Sequence, residues 1–171
     1  ALVAATDGNV SGRTDEGTVL ITRSGVAKGD VTEEDLLELD PGGRLLAGRG
    51  KPSTESGMHL FVYRERPDVR AVVHAHPPYA TGFSTARIAL DRCLLPEVIV
   101  GLGTVPLAPY ATPSTAEVAA SLAPYVRDHD AVLLANHGAV AWGRPPLEAF
   151  HRIQKVEHAA HVTFVATLLG G

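Results

Sequence analysis

Only one cysteine, Cys93, occurs in the 171-residue chain, so it can form no internal disulfide and no thiolate cage for zinc. Metal chemistry would need other donors, and the chain has eight histidines. No apolar run reaches the roughly 18 residues of a membrane-spanning helix. The stretch Ala1 to Asn9 lacks the basic and apolar regions of a signal peptide, so a cytoplasmic protein is expected. Excess positive charge is also missing: the net charge is -4 and the basic residues are scattered, which argues against nucleic acid or an anionic membrane as partner. Repeats, low-complexity blocks and long Gly/Ser or Pro-rich linkers are absent, so one domain spanning 1–171 is expected. The chain does not begin with methionine, which suggests a missing amino-terminal segment. What is present, 45% hydrophobic and 20% charged residues, belongs to a folded domain and not to a disordered or collagen-like chain.

Val19–Thr22 is a β-branched run closed by Ser24-Gly25 and reads as a buried strand entering a turn. Thr32 before Glu33, Glu34 and Asp35 predicts a short helix to about Leu37, stopped by Pro41-Gly42-Gly43. A further helix is predicted from Thr54 to Arg66, ending at Pro67-Asp68. Arg70 to His74 reads as a strand, Pro78 to Thr85 as a short helix, and Val98 to Leu107 as a strand broken by Gly101 and Gly103. Val118, Leu122 and Val126 recur by fours behind Ser114-Thr115-Ala116-Glu117, the pattern of a capped helix from Ser114 to Val126. Ala131–Ala135 and Ala139–Trp142 read as strands hinged at Asn136-His137-Gly138, and Leu147–Leu168 as a long helix. Helices flanking short adjacent strands imply a layered α/β or α+β domain.

The sharpest local signal is Val72-Val73-His74-Ala75-His76-Pro77, since residues i and i+2 of a strand share a face and both imidazoles can reach one ion. Pro77 would fix the exit from the strand and place the pair at a sheet edge. His137, in a tight turn after an apolar strand, supplies a third donor. Three neutral imidazoles with one open position form the arrangement of a catalytic zinc site. Glu55, in Lys51-Pro52-Ser53-Thr54-Glu55, either lies in a first helical turn capped by Ser53 or Thr54 or serves as a general base beside the metal.

Three segments read as loops suited to an anion: Asp7 to Gly12 with Asn9, Ser24-Gly25, and Ser53-Thr54. No G-x-G-x-x-G occurs, so a nucleotide fold is not supported. A rival cluster, His151, Glu157, His158 and His161, lies on the terminal helix but does not spell H-E-x-x-H. It reads as packed or solvated histidines, with Glu157 and His161 able to line the edge of the site.

With these residues assembled, the chain resembles the class II aldolase/adducin family over nearly its whole length. Asp7-Gly8-Asn9-Val10-Ser11 is similar to that family's G-N-[LIV]-S segment, Ile21-Thr22-Arg23-Ser24-Gly25 to its T-x-[ST]-G loop, and Pro52-Ser53-Thr54-Glu55 to its P-S-[ST]-E segment. His74-Ala75-His76-Pro77 and Asn136-His137-Gly138 are similar to its two zinc-ligand motifs. The resemblance implies an α/β fold, a three-layer α/β/α sandwich around a mostly antiparallel sheet, assembled as a homotetramer with sites at subunit borders. It implies that His74, His76 and His137 hold Zn2+, that Glu55 is the catalytic acid/base, and that Asn9, Ser24, Gly25, Ser53 and Thr54 bind the phosphate of a small sugar phosphate. The implied reaction cleaves or forms a ketose 1-phosphate of the L-fuculose 1-phosphate type, by way of the enediolate of dihydroxyacetone phosphate and an aldehyde. Within the same family the alternatives are a methylthioribulose-1-phosphate dehydratase or an epimerase or decarboxylase. An adducin-like, non-catalytic association domain is the alternative of another class, and the full histidine set with Glu55 argues against it. The chain departs from the family at Leu95 to Val100, which contains no tyrosine where a proton donor is expected; Tyr110 lies downstream.

Overall fold

The chain passes through four strands before its first α-helix, and helices and strands are interspersed from there on. The computed structural model describes residues 2–92 and 95–171, so the reading of Cys93 lies outside the described residues. The strands are β1 (Asn9–Arg13), β2 (Val19–Thr22), β3 (Leu36–Leu39), β4 (Leu45–Ala47), β5 (Ala71–Ala75), β6 (Leu107–Ala108), β7 (Ala131–Leu134) and β8 (Gly138–Gly143). The helices are α1 (Ser56–Glu65), α2 (Pro78–Ala86), α3 (Pro96–Gly101), α4 (Ala116–Leu122) and α5 (Pro146–Leu168). All eight strands join one sheet in the order β4-β3-β2-β1-β5-β8-β7-β6. Each neighbouring pair is antiparallel except β6 with β7.

Alternation along β5 decides what each face of the sheet carries. Val72 packs with Met58, Phe61 and Val62 of α1 and with Val118 and Leu122 of α4. Ala71, Val73 and Ala75 point the other way, onto Ala80 of α2 and Ala149, Ile153 and Val156 of α5. Burying each of these valines and larger apolar side chains contributes roughly 1.5–3 kcal/mol. Alanines dominate the second interface and let α5 approach the sheet closely: a Cβ on Gly143 would lie 2.7 Å from the Ala149 nitrogen. The result is the α/β/α sandwich that the resemblance implies.

Several segments differ from the sequence reading. Glu33–Asp35 makes only a single 3-10 turn, and the chain is already in β3 at Leu36. Leu37 and Leu39 alternate inward against Ile21, so period-two burial overrides the helix-start signal at Thr32. Val98 to Leu107 is not a broken strand: Pro96 and Glu97 open α3, none of whose residues is buried, and only Leu107–Ala108 pairs in the sheet. The Asp7 to Gly12 segment is not a loop, because from Asn9 onward it is β1, paired with both β2 and β5. Its inward side chains are polar, which hides the strand period. The segment from Ser114 yields the shorter helix α4 with Thr115 as its cap, while Ser114 itself is left-handed at φ +65°. β5 is a central strand, so His74 and His76 stand at a strand's C-terminal end and not at a sheet edge. No described helix is long and apolar enough to cross a membrane.

Candidate functional site

Strand register gathers the site. Asn9 lies directly opposite His74 in the β1–β5 ladder. On the other side of β5, Ala75 faces Ala139 of β8, so the turn that carries His137 returns beside His76. Asn136 enters that turn at φ +57°, a conformation asparagine tolerates better than most residues. Gly138 is required by contact: a Cβ there would sit 2.6 Å from the Ala75 carbonyl oxygen and 2.7 Å from the His76 ring. Gly8, at φ +72°, likewise meets the His74 carbonyl oxygen at 2.7 Å from its ideal Cβ.

The three imidazoles come together as the sequence predicts. Their ring centroids are 4.7 to 5.1 Å apart, and one ligand nitrogen of each lies within 4.8 Å of the others. His74 is buried, and its Nδ1 donates to the Ala139 carbonyl at 3.0 Å, which leaves the Nε2 lone pair aimed into the cluster. His76 turns its Nδ1 toward Asp7, 3.7 Å away, and brings its Nε2 to 3.0 Å from His74 Nε2. Two such nitrogens repel unless a cation or a proton lies between them. A proton is disfavoured, since burial and the adjacent imidazoles push His74 down to about 3, and burial also lowers His76.

Glu55 is the N-cap residue of α1, yet its side chain caps nothing. It points instead at the histidines: Oε2 lies 3.3 Å from His74 Nε2, and Oε1 lies 3.0 Å from His137 Nε2. Oε1 is buried with no aligned hydrogen-bond donor. Burial would raise this carboxyl, but His137, His74 and the Asn9 amide outweigh it and hold it at about 2. An orphaned carboxylate oxygen facing convergent imidazole nitrogens fits a divalent cation, which would satisfy all of them at once.

Beside the cluster opens a polar cavity of about 340 Å³, and Asn9, Ser24, Gly25, Ser53 and Thr54 all line it, together with Glu55, His76 and His137. Ser24 and Thr54 are exposed, whereas Ser53 is buried. Asn9 Nδ2 donates to Ser53 Oγ at 3.0 Å and to Glu55 Oε2 at 2.8 Å, so this residue ties the cavity wall to the carboxylate.

Among the cavity residues that escaped the sequence reading, three bear on its chemistry. Lys28 reaches in and donates to the carbonyls of Thr6 and Val26, with no carboxylate among the described residues in salt-bridge contact. Arg23 lines the same space but is neutralised by Asp35 at 2.7 Å. Ser114 arrives from the segment before α4 and donates its hydroxyl to Thr54 at 2.7 Å. No local motif marks Lys28 or Ser114.

The rival histidines do not converge. Glu157 accepts the backbone N–H groups of Tyr79 and Ala80 at the start of α2, and His161 stacks on Tyr79 at 3.9 Å. Neither lines the polar cavity. Among the described residues, His74, His76 and His137 form the one group of three or more donors placed to share an ion.

Comparison with known proteins gives the family. Residues 1–164 match the family described as Class II Aldolase and Adducin N-terminal domain. The chain is 36% identical over 163 residues to 3-oxo-tetronate 4-phosphate decarboxylase of Escherichia coli, which covers 92% of this chain and 76% of the relative. It is 40% identical to L-fuculose-1-phosphate aldolase from Thermus thermophilus, whose crystal structure superposes at a TM-score of 0.87 over 100% of this chain and 88% of that one. A further L-fuculose 1-phosphate aldolase structure superposes at TM-score 0.92 with 35% identity, over 99% and 80% of the two chains. The chain belongs to the class II aldolase/adducin family.

Proposed function

We propose that this chain is a zinc-dependent aldolase that makes or breaks a carbon–carbon bond in a ketose 1-phosphate, with dihydroxyacetone phosphate and an aldehyde as the two halves. The observation that carries the reading is the buried Glu55 Oε1, without an aligned hydrogen-bond donor and 3.0 Å from His137 Nε2, set against three convergent imidazoles at the mouth of a polar cavity. In this reading His74, His76 and His137 hold the ion. Bound there, a divalent cation supplies Lewis-acid stabilisation of the negative charge that develops on the ketone oxygen as the bond breaks.

The protein's own groups do the rest. Ser24, Ser53 and Thr54 offer hydroxyls and Gly25 a backbone N–H to the phosphate, Asn9 fixes Ser53, and Lys28 adds positive charge. Holding the phosphate in this cavity orients the adjacent ketone toward the imidazole cluster. In the cleavage direction the Glu55 carboxylate takes the proton of the hydroxyl on the departing carbon, the carbon–carbon bond opens, and its electron pair passes toward the ketone oxygen. Protonated Glu55 then gives a proton to the carbon that has lost its partner. In the synthetic direction the Glu55 carboxylate takes that proton from dihydroxyacetone phosphate.

Decarboxylation of an oxo-acid phosphate is the second reading, favoured by the Escherichia coli relative. It would place the same charge on the same ketone and release carbon dioxide in place of an aldehyde. Zinc as the ion, a homotetramer and a cytoplasmic location belong to the proposal through the family resemblance. Product analysis tests it. Incubation with a panel of ketose 1-phosphates should yield triose phosphate plus aldehyde; carbon dioxide from an oxo-acid phosphate would transfer the assignment to the decarboxylase, and loss of water without chain scission to a dehydratase. Glu55→Gln should keep its metal and lose roughly 10²–10⁴-fold in turnover. Full activity in that variant would remove the proton-transfer role.

A further inference from the structure

Behind Glu55 runs a buried row of polar side chains of which only Asn9 has a part in the chemistry above. Asn9, Ser11, His59 and Tyr63 are all buried, and His59 is fully so. His59 Nε2 lies 2.5 Å from Asn9 Oδ1, its Nδ1 lies 2.7 Å from Ser11 Oγ, and Ser11 Oγ lies 2.7 Å from the Tyr63 hydroxyl. Asn9 closes the series on Ser53 and Glu55.

The direction of every bond in this row follows from its end. Glu55 Oε2 and Ser53 Oγ both accept from one side of the Asn9 amide, so that side is the NH2 group and the carbonyl Oδ1 faces His59. His59 must then carry its proton on Nε2. Burial keeps the ring neutral by pushing it down to about 4, so Nδ1 is an acceptor. Ser11 therefore donates its hydroxyl hydrogen to His59 and accepts from Tyr63. Each donor hydrogen has one acceptor, and no alternative orientation of Asn9 satisfies the row. His74 is held in the opposite tautomer by Ala139.

We infer that His59, fixed by Ser11 and Tyr63, is a positioning residue that locks the Asn9 amide with its nitrogen toward Glu55 and Ser53, so that the carboxylate presents Oε1 to the imidazole cluster. Without the His59 donor, Asn9 is free to turn its oxygen toward Glu55, where two acceptors repel, and the carboxylate swings away. The inference rests on the assignment of Glu55 as the proton-transfer group.

Two measurements test it. The first is kinetic. His59→Leu should retain zinc and KM while kcat falls about 10–100-fold, the range for groups that orient a metal site from behind. His59→Gln, whose amide N–H can replace Nε2–H, should recover most of that loss. Wild-type kcat in His59→Leu, or a loss that His59→Gln does not repair, overturns the inference. If His59→Leu does not fold, Ser11→Ala carries the same prediction in milder form, because it keeps the ring and removes the donor to Nδ1 together with the acceptor of the Tyr63 hydroxyl. The second is spectroscopic. With 15N-labelled histidine in the zinc-loaded protein, ring nitrogen shifts should show His59 protonated on Nε2 and His74 on Nδ1. The reverse tautomer at His59 overturns the inference even if no sugar phosphate is ever turned over, whereas an inactive wild type with the expected tautomers counts against the aldolase assignment alone.

Discussion

His74, His76 and His137 come from the end of one strand and the turn leading into its neighbour, whereas His151, His158 and His161 stand along a single helix, α5. The helical set is the denser in sequence and the poorer in geometry. Neighbours three or four residues apart on a helix project outward side by side, with Cβ atoms roughly 5–6 Å apart. Each then meets its own surroundings: His161 finds Tyr79, while His151 and His158 remain exposed. At the strand ends, by contrast, the sheet fixes two backbones against each other and turns lone pairs inward over a buried carboxylate. Convergence, and not the number of imidazoles, separates a centre for chemistry from a histidine-rich surface.

The contrast breaks most sharply under substitution. His76→Ala should lower bound zinc and turnover together, by more than the roughly 10–100-fold typical of outer positions, while His158→Ala on α5 should change neither. Metal content by mass spectrometry beside initial rates checks both, and equal losses would erase the distinction.

Acid should expose the buried side next. The His59 ring titrates near its ordinary 6.5 in the unfolded chain but at about 4 in the folded one, so the unfolded chain takes up the proton first. The stability from keeping it neutral is fully present above pH 6.5 and falls by up to about 3 kcal/mol as pH drops toward 4. Urea midpoints at pH 7.5, 6.0 and 4.5 read this, and His59→Gln should flatten the slope.

Smaller changes sharpen the picture. Lys28→Gln should raise KM for a phosphate ester about tenfold with kcat little changed, the size of one charge-assisted hydrogen bond. An unchanged KM would take Lys28 out of the anion pocket. Glu157→Ala should leave zinc and kinetics alone and lower stability by about 1 kcal/mol, because it strips two backbone N–H groups at the start of α2 of their acceptor. Thermal melting of the variant measures it.

Much of this arrangement is legible in the residues. The histidine pair before Pro77, the Asn136-His137-Gly138 turn and the polar run ending at Glu55 are short motifs whose chemistry shows in the sequence itself, and the periodic runs predict α1, α5, β7 and β8. Other parts are hidden for physical reasons. β1 presents polar side chains inward because its partners lie on α1, so hydropathy does not reveal its period. The β-branched Val98-Ile99-Val100 suggests a strand, yet the run is unburied and Pro96 starts a helix. Lys28, Ser114 and His59 join the site only through tertiary contacts. Their positions carry no local signal.

The pairing of Asn9 with His74 across two central strands links folding fidelity to turnover. A slip of a single residue between β1 and β5 would set Val10 against His74 and send the asparagine to the opposite face of the sheet. Mispaired molecules would thus be silent as catalysts even with every ligand and acid group intact, and specific activity would report the ladder's alignment as faithfully as it reports the metal.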